Sequence, residues 1–175
     1  MTSPSAPAFP ALLHSDGPAA DRADKLSLYG RLVGDWEMDV LAWEPDGTTR
    51  RVTGSIHFGW VLQGRAIQDI WRIPGRKPGV PDDPSRSVMY GTTLRIFDPG
   101  LDAWHIIWAD PVRQVHSRQL GRAVGDDIVQ EGETAEGVKN RWTFTEITPT
   151  SFHWIGEHAP NGRWSRTVEF FARRV

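Results

Sequence analysis

Leu32-Val33-Gly34-Asp35-Trp36-Glu37-Met38-Asp39-Val40-Leu41-Ala42-Trp43 is the stretch on which the fold turns. Ahead of it, over Asp21–Leu32, the apolar residues Leu26, Leu28, Tyr29 and Leu32 recur at near-helical spacing behind a possible Asp cap. That spacing predicts one short helix. From Trp36 the period changes to two, with Trp36, Met38, Val40 and Ala42 set against Glu37 and Asp39. Alternation of this kind is a strand with one buried and one wet face.

The period of two continues to the C-terminus. Segments at Arg51–Trp60, Gly64–Ile73, Val88–Phe97, Ala103–Ala109, Val112–Leu120, Asp127–Thr134, Val138–Ile147, Phe152–His158 and Arg163–Ala172 read as strands. Turn signals separate them, among them Pro45-Asp46-Gly47, Leu62-Gln63-Gly64, Asp98-Pro99-Gly100, Ala135-Glu136-Gly137 and Pro160-Asn161-Gly162. Pro presets one turn dihedral and Gly permits the left-handed one. Pro74–Ser87, with four prolines and two glycines, is the one long loop, a lid over a barrel mouth or a plain mobile connection.

About ten strands in a row, with no helical pattern between them, predict an all-β antiparallel up-and-down meander. Closing the meander into a barrel removes both sticky edges. A sandwich is the competing architecture, but it calls for at least one long crossing connection, and the connections here are short.

The 175 residues suit a single domain over 21–175, large enough to bury about 70% of its unfolded surface without staples. Residues 1–20 are rich in Ser, Ala and Pro, which predicts a disordered or loosely draped tail. Cysteine is absent, so thiol catalysis, Cys-based zinc and iron–sulfur sites and disulfides have no ligands. Twenty basic and 22 acidic residues nearly balance, without the blocks of one sign that nucleic-acid or membrane binding requires. No apolar run approaches the ~18 residues of a membrane span, and Met1–Ala20 does not read as a secretion signal. A soluble cytoplasmic protein is the expectation. Homodimerisation through an outer barrel face is compatible with the chain, and nothing in it requires a partner.

The order of short motifs resembles a known superfamily. Gly34-Asp35-Trp36 after a short helix, and a meander ending in Phe170-Phe171-Ala172-Arg173-Arg174, resemble the calycins, the lipocalin and fatty-acid-binding-protein-like barrels. A closer resemblance, over about Leu28–Arg174, is to a bacterial lipocalin-like family for which no general activity is defined. Gly64-Arg65, Tyr90-Gly91, Phe97-Asp98-Pro99, Trp104 and Arg141-Trp142-Thr143-Phe144 carry it, together with the Leu32–Trp36 run and the last strand. The resemblance implies that Trp36 lies across the closed end, covered by Arg174 or Arg173 from the last strand, a favourable cation–indole contact. The chain lacks the disulfides of typical lipocalins. The iron-ligating histidine of ten-stranded haem barrels matches no particular position, which leaves a haem-binding barrel a minor alternative.

With Trp36 inward, alternation turns several sets of side chains into the barrel. They are Val52, Ile56, Phe58 and Trp60; Tyr90, Thr92 and Leu94; Trp104, Ile106 and Trp108; Trp142 and Phe144; Phe152 and Trp154; and Trp164, Arg166, Val168 and Phe170. That much aromatic surface predicts a cavity, with a ligand site at Trp71, Tyr90, Trp108, His116, Arg118, Trp142 and Trp154. A bulge could turn Trp43 or Trp71 outward, and any one ring could be plain core. Gln114, His116 and Arg118 share a strand face that either orients a carboxylate or carbonyl inside, or is solvated with Val115 inward.

Asp69, Gln130 or Glu131, and Glu157 or His158 are further interior candidates. A buried carboxylate beside a histidine would be the minimum acid–base pair. The histidines form no ligand-spaced pair, so no metal is expected. Nucleophile elbow, phosphate loop and dinucleotide fingerprint are missing from the sequence, and no cofactor is expected. Two functions follow: binding of a small hydrophobic, aromatic or lipid-like molecule, or a cofactor-free cyclase, isomerase or similar proton-transfer or pericyclic catalyst in the same cavity. A filled barrel with a purely structural role is the third.

Overall fold

Alternating segments joined by turns of a few residues pair with their sequence neighbours, and that local pairing builds the whole molecule. In a computed structural model, which describes residues 8–44, 46–75, 79, 83–134 and 136–175, the chain opens with α1 (Phe9–Leu13), β1 (His14–Ser15) and α2 (Ala23–Gly30). The meander follows as β2 (Gly34–Trp43), β3 (Thr49–Val61), β4 (Ala66–Ile73), β5 (Met89–Asp98), β6 (Ala103–Asp110), β7 (Val115–Val124), β8 (Asp127–Glu133), β9 (Lys139–Thr145), β10 (Ser151–Ala159) and β11 (Ser165–Arg174). Each pairs antiparallel with the next, and β11 pairs back onto β2 from Arg174↔Trp36 to Val168↔Ala42. Ten strands close into an up-and-down barrel, and the expected architecture is the one observed.

Closure leaves one short stretch of edge. β2 ends its pairing with β3 at Gly34↔Phe58, whereas β3 runs on to Val61. β1 takes up the vacant edge, with His14↔Val61 and Ser15↔Trp60. Two more bonds fix the arm there: the Leu62 N–H donates to the Leu13 carbonyl (3.0 Å) and the Ala19 N–H to the Gly64 carbonyl (3.0 Å). Of the tail expected over residues 1–20, residues 8–19 therefore follow a defined path, and residues 1–7 lie outside the described set.

The helix expected over Asp21–Leu32 is a 3-10 turn at Ala20–Arg22 followed by α2, which buries Leu26 and Tyr29. Strand direction puts this helix at the barrel end where β2 starts. The opposite end carries the β2–β3, β4–β5, β6–β7, β8–β9 and β10–β11 connections. Within the Pro74–Ser87 loop, the lid candidate, residues 76–78 and 80–82 lie outside the described set. Pro45 and Ala135, at two expected turns, do as well.

Candidate functional site

The closed end is built around two indoles. Trp36 is fully buried, its Nε1–H donates to the Leu32 carbonyl (2.8 Å), and its ring meets Phe152 edge-on at 4.7 Å. The Arg174 guanidinium covers it at 4.1 Å. Of the two arginines implied by the resemblance, Arg174 fills the role; Arg173 points outward and donates to Asp39 (2.8 Å). Trp104 is the second indole, packed against Tyr29 of α2 at 4.8 Å and Phe97 at 5.7 Å. The Tyr29 hydroxyl donates to Gln130 Oε1 (3.0 Å), and burial pushes its ionisation well above the usual range.

Above this floor lies a buried ion pair. Asp69 of β4 and Arg95 of β5 are 0% and 1% exposed, and Arg95 Nη1 donates to Asp69 Oδ2. Asp69 Oδ1 accepts the Thr93 N–H (2.7 Å). The Arg95 guanidinium sits 5.2–5.8 Å from the rings of Tyr29, Phe58 and Phe144. Charge of each sign is thus matched inside a cage of aromatic faces.

Beyond the pair the interior opens into a cavity of about 450 Å³. Its wall is a chain of indoles in contact: Trp71 to Trp154 at 5.7 Å, Trp154 to Trp142 at 5.8 Å and Trp142 to Trp108 at 6.3 Å. Phe170 stacks on Trp154 at 4.7 Å. Arg95 and Thr93 lie at its base, Ser117 and Asn140 on its side, and Arg113, Gln114, His116, Glu136 and His158 toward the mouth. Asp110 shapes the rim, its Oδ1 accepting the Val112 (2.9 Å) and Arg113 (3.2 Å) N–H groups. A hydrogen bond from Thr134 holds the Glu136 carboxyl below the usual carboxylate range.

Of the seven residues expected at a ligand site, Trp71, Trp108, Trp142, Trp154 and His116 line this cavity. Tyr90 and Arg118 do not. Tyr90 is 45% exposed on the outer face beside Arg72, because β5 turns Met89, Gly91, Thr93, Arg95 and Phe97 inward instead of Tyr90, Thr92 and Leu94. Tyr90, Leu94 and Ile96 face out, and between Met89 and Phe97 the inner face carries only Gly91, Thr93 and Arg95. Trp108 explains part of this: a Cβ on Gly91 would lie 2.5 Å from its ring. Arg118 borders an outer depression with Ile96, His105 and Ile107, since Ser117, Gln119 and Gly121 form the inner row of β7. Val115 faces inward at the mouth, and His116 reaches the cavity only at its exposed rim.

β11 departs from simple alternation as well. Its register shifts between Gly156 and Glu157, leaving Thr167 as an extra residue opposite them. Thr167 and Val168 line the cavity, whereas Trp164 and Arg166 are exposed, contrary to the inward set expected for this strand. Trp43 is 41% exposed at the end of β2, and Trp71 is buried inside.

Among the polar candidates, Asp69 and Gln130 are interior and His158 lines the cavity. Glu131 is exposed, and Glu157 pairs on the outer side with Arg141 (2.8 Å). The buried carboxylate beside the cavity, Asp69, therefore has an arginine partner in place of a histidine, whereas the buried Glu169 does meet a histidine, His153 (2.8 Å), but neither of that pair lines the cavity. Among the described residues no group of His, Asp and Glu is placed to hold a metal ion. Among the lining residues that sequence reasoning passed over are Arg95, Thr93, Ser117, Asn140 and Thr167. One signal for Arg95 was present: Gly91 within a strand marks close approach by a neighbour, which makes its alternate residues inner ones.

Two of the solved structures to which the barrel is similar show how far the likeness goes. One is Rv2717c from M. tuberculosis, at 13% identity and a TM-score of 0.60, covering 87% of this chain and 98% of that one. The other is the S-type phycobiliprotein lyase CPES from Guillardia theta, at 11% identity and a TM-score of 0.60, covering 90% and 98%. At such identities the likeness is one of fold alone, a closed antiparallel up-and-down β-barrel. No protein-family model and no curated protein matches the chain. No helix among the described residues is long and apolar enough to cross a membrane.

Proposed function

We propose that this barrel binds a small hydrophobic molecule, aromatic or lipid-like, in the cavity walled by Trp71, Trp108, Trp142 and Trp154. The observation that carries the reading is that wall: four indoles in mutual contact line a space of about 450 Å³ above a sealed floor. Rings whose only role was packing would meet at the barrel axis; these leave room for a guest between them. A concave apolar surface of this size with a few polar groups suits a small ligand. His116, at the rim, takes part only as a mouth residue.

Binding is favoured over proton-transfer catalysis by the pairing of Asp69. Its carboxylate is held by Arg95 and the Thr93 N–H, so it has no histidine to exchange a proton with. Native mass spectrometry of the protein purified from its own host tests the proposal, with a bound small molecule as the expected result. A haem adduct would replace the hydrophobic guest by the haem alternative. Absence of any adduct, with tryptophan emission unmoved by saturating hydrophobic probes, would remove the cavity's role.

A further inference from the structure

Two donors on residues that line the cavity, Trp71 in its wall and Arg95 at its base, have nothing to donate to. The Nε1–H of Trp71 and the Nε–H of Arg95 are buried without a hydrogen-bond partner, on side chains that are 4% and 1% exposed as residues. Both belong to cavity-lining residues, and both pack on the same two rings. Trp71 lies 6.2 Å from Phe58 and 6.4 Å from Phe144, and the Arg95 guanidinium 5.4 and 5.8 Å from them. On the side of the cavity, the Ser117 hydroxyl is also buried without a partner.

Buried polar groups are almost always satisfied, and those that are not point to a missing water or ligand. An indole N–H and a guanidinium N–H can only donate, so the missing group is an acceptor. Its charge follows from the floor. Asp69 already balances Arg95, and a buried carboxylate added there would leave the pair with a net negative charge in a low-dielectric site. A neutral carbonyl oxygen has two lone pairs for two donors and adds no charge. The Arg113 guanidinium, the Glu136 carboxylate and the imidazoles of His116 and His158 stand toward the mouth, so a charged end, where a ligand has one, belongs there.

We infer that the ligand is a flat aromatic carbonyl compound that enters carbonyl first, its oxygen accepting from Trp71 Nε1 and Arg95 Nε and its rings lying among Trp108, Trp142 and Trp154. The inference rests on the binding reading above and sharpens it to a chemical class and an orientation. Selectivity arises because a hydrocarbon of the same shape leaves both donors unserved.

The test compares fluorenone, fluorene and fluorene carboxylate, titrated into the full chain and followed by tryptophan emission and calorimetry. Fluorenone is expected to bind about tenfold more tightly than fluorene, and the carboxylate more weakly than fluorenone. The carbonyl stretch of bound fluorenone should lie below its frequency in alkane, a readout that needs no variant. Trp71→Phe, which keeps an aromatic ring and removes the N–H, should reduce the ketone-to-hydrocarbon preference several-fold. Equal binding of ketone and hydrocarbon, with an unshifted stretch, leaves the binding reading standing and overturns the carbonyl subsite. Tightest binding of the carboxylate overturns the neutral floor. Binding of none of the three overturns the carbonyl subsite, while the native mass spectrum decides separately whether the binding reading stands.

Discussion

Arg174 touches Trp36 through its charge and the chain leading to it through its hydrogen bonds. The guanidinium lies 4.1 Å from the indole while Nη1 donates to the Val33 carbonyl (2.7 Å) and Nη2 to the Arg31 carbonyl (3.0 Å). Nε reaches the Pro149 carbonyl (2.7 Å) in the β9–β10 connection. One side chain thus ties the end of α2, the start of β2 and the loop that leads into the neighbouring strand β10.

Replacing it by a chain of similar length without the fork removes all four contacts. Arg174→Met is expected to cost about 2–3 kcal/mol, read as a lower urea midpoint. Arg173→Met, which breaks only a solvent-exposed pair with Asp39, should cost at most about 1 kcal/mol. Equal losses from the two variants would deny Arg174 its special place.

The Asp69–Arg95 pair predicts a strongly non-additive cycle. Removing either charge alone, as Asp69→Leu or Arg95→Met, leaves the other buried and unpaired and is expected to cost about 3–5 kcal/mol. The double variant should be more stable than the sum of the single losses by well over 1 kcal/mol. Denaturant titration of the four proteins decides it; simple additivity would mean the pair does not interact as the geometry shows.

Tyr29 links the floor to alkaline pH. Its hydroxyl ionises higher in the folded protein than in the unfolded chain, chiefly through burial. In the window above the unfolded value of about 10, the folded state holds a proton that the unfolded state has lost. Stability should therefore be flat below that window and fall as pH rises through it. In a Tyr90→Phe background Tyr29 is the sole tyrosine, and its ultraviolet tyrosinate signal should appear together with unfolding. A tyrosinate signal that develops while tryptophan emission remains native would contradict a sealed floor.

Gly91 controls the position of Trp108. A Cβ there would lie 2.5–2.6 Å from the indole and 2.7 Å from the Ala109 carbonyl. Gly91→Ala should cost about 1–3 kcal/mol and push Trp108 away from the wall. Near-ultraviolet circular dichroism should change, and affinity for hydrophobic probes should fall. An unchanged spectrum would show that the ring yields elsewhere.

Most of the barrel was legible because its signals are local. Turn residues and period-two alternation located all ten strands, with boundaries within a few residues except at β7. There Asp110 organises a turn that delays the strand from Val112 to Val115. Facing was harder wherever the interior is not apolar. β5 carries Tyr90, Leu94 and Ile96 outward and Arg95 inward, and only the partner Asp69 and the bulk of Trp108 explain why; both lie on other strands. On β11 one extra residue opposite Gly156 and Glu157 reversed the facing of Arg166, an insertion that no pattern within the strand announces. Of the site, the indole wall was readable from alternation, whereas the unpartnered donors among its lining residues needed the three-dimensional arrangement.

The Asp69–Arg95 layer also divides the nine tryptophans by environment. Trp36, Trp60 and Trp104 are buried toward the α2 end, Trp71, Trp108, Trp142 and Trp154 surround the cavity, and Trp43 and Trp164 face solvent. A guest that quenches by contact can darken the second group and leave the first bright. The protein thereby carries an internal reference beside its own occupancy gauge: emission should fall to a plateau, and the light that survives comes from indoles the guest never meets.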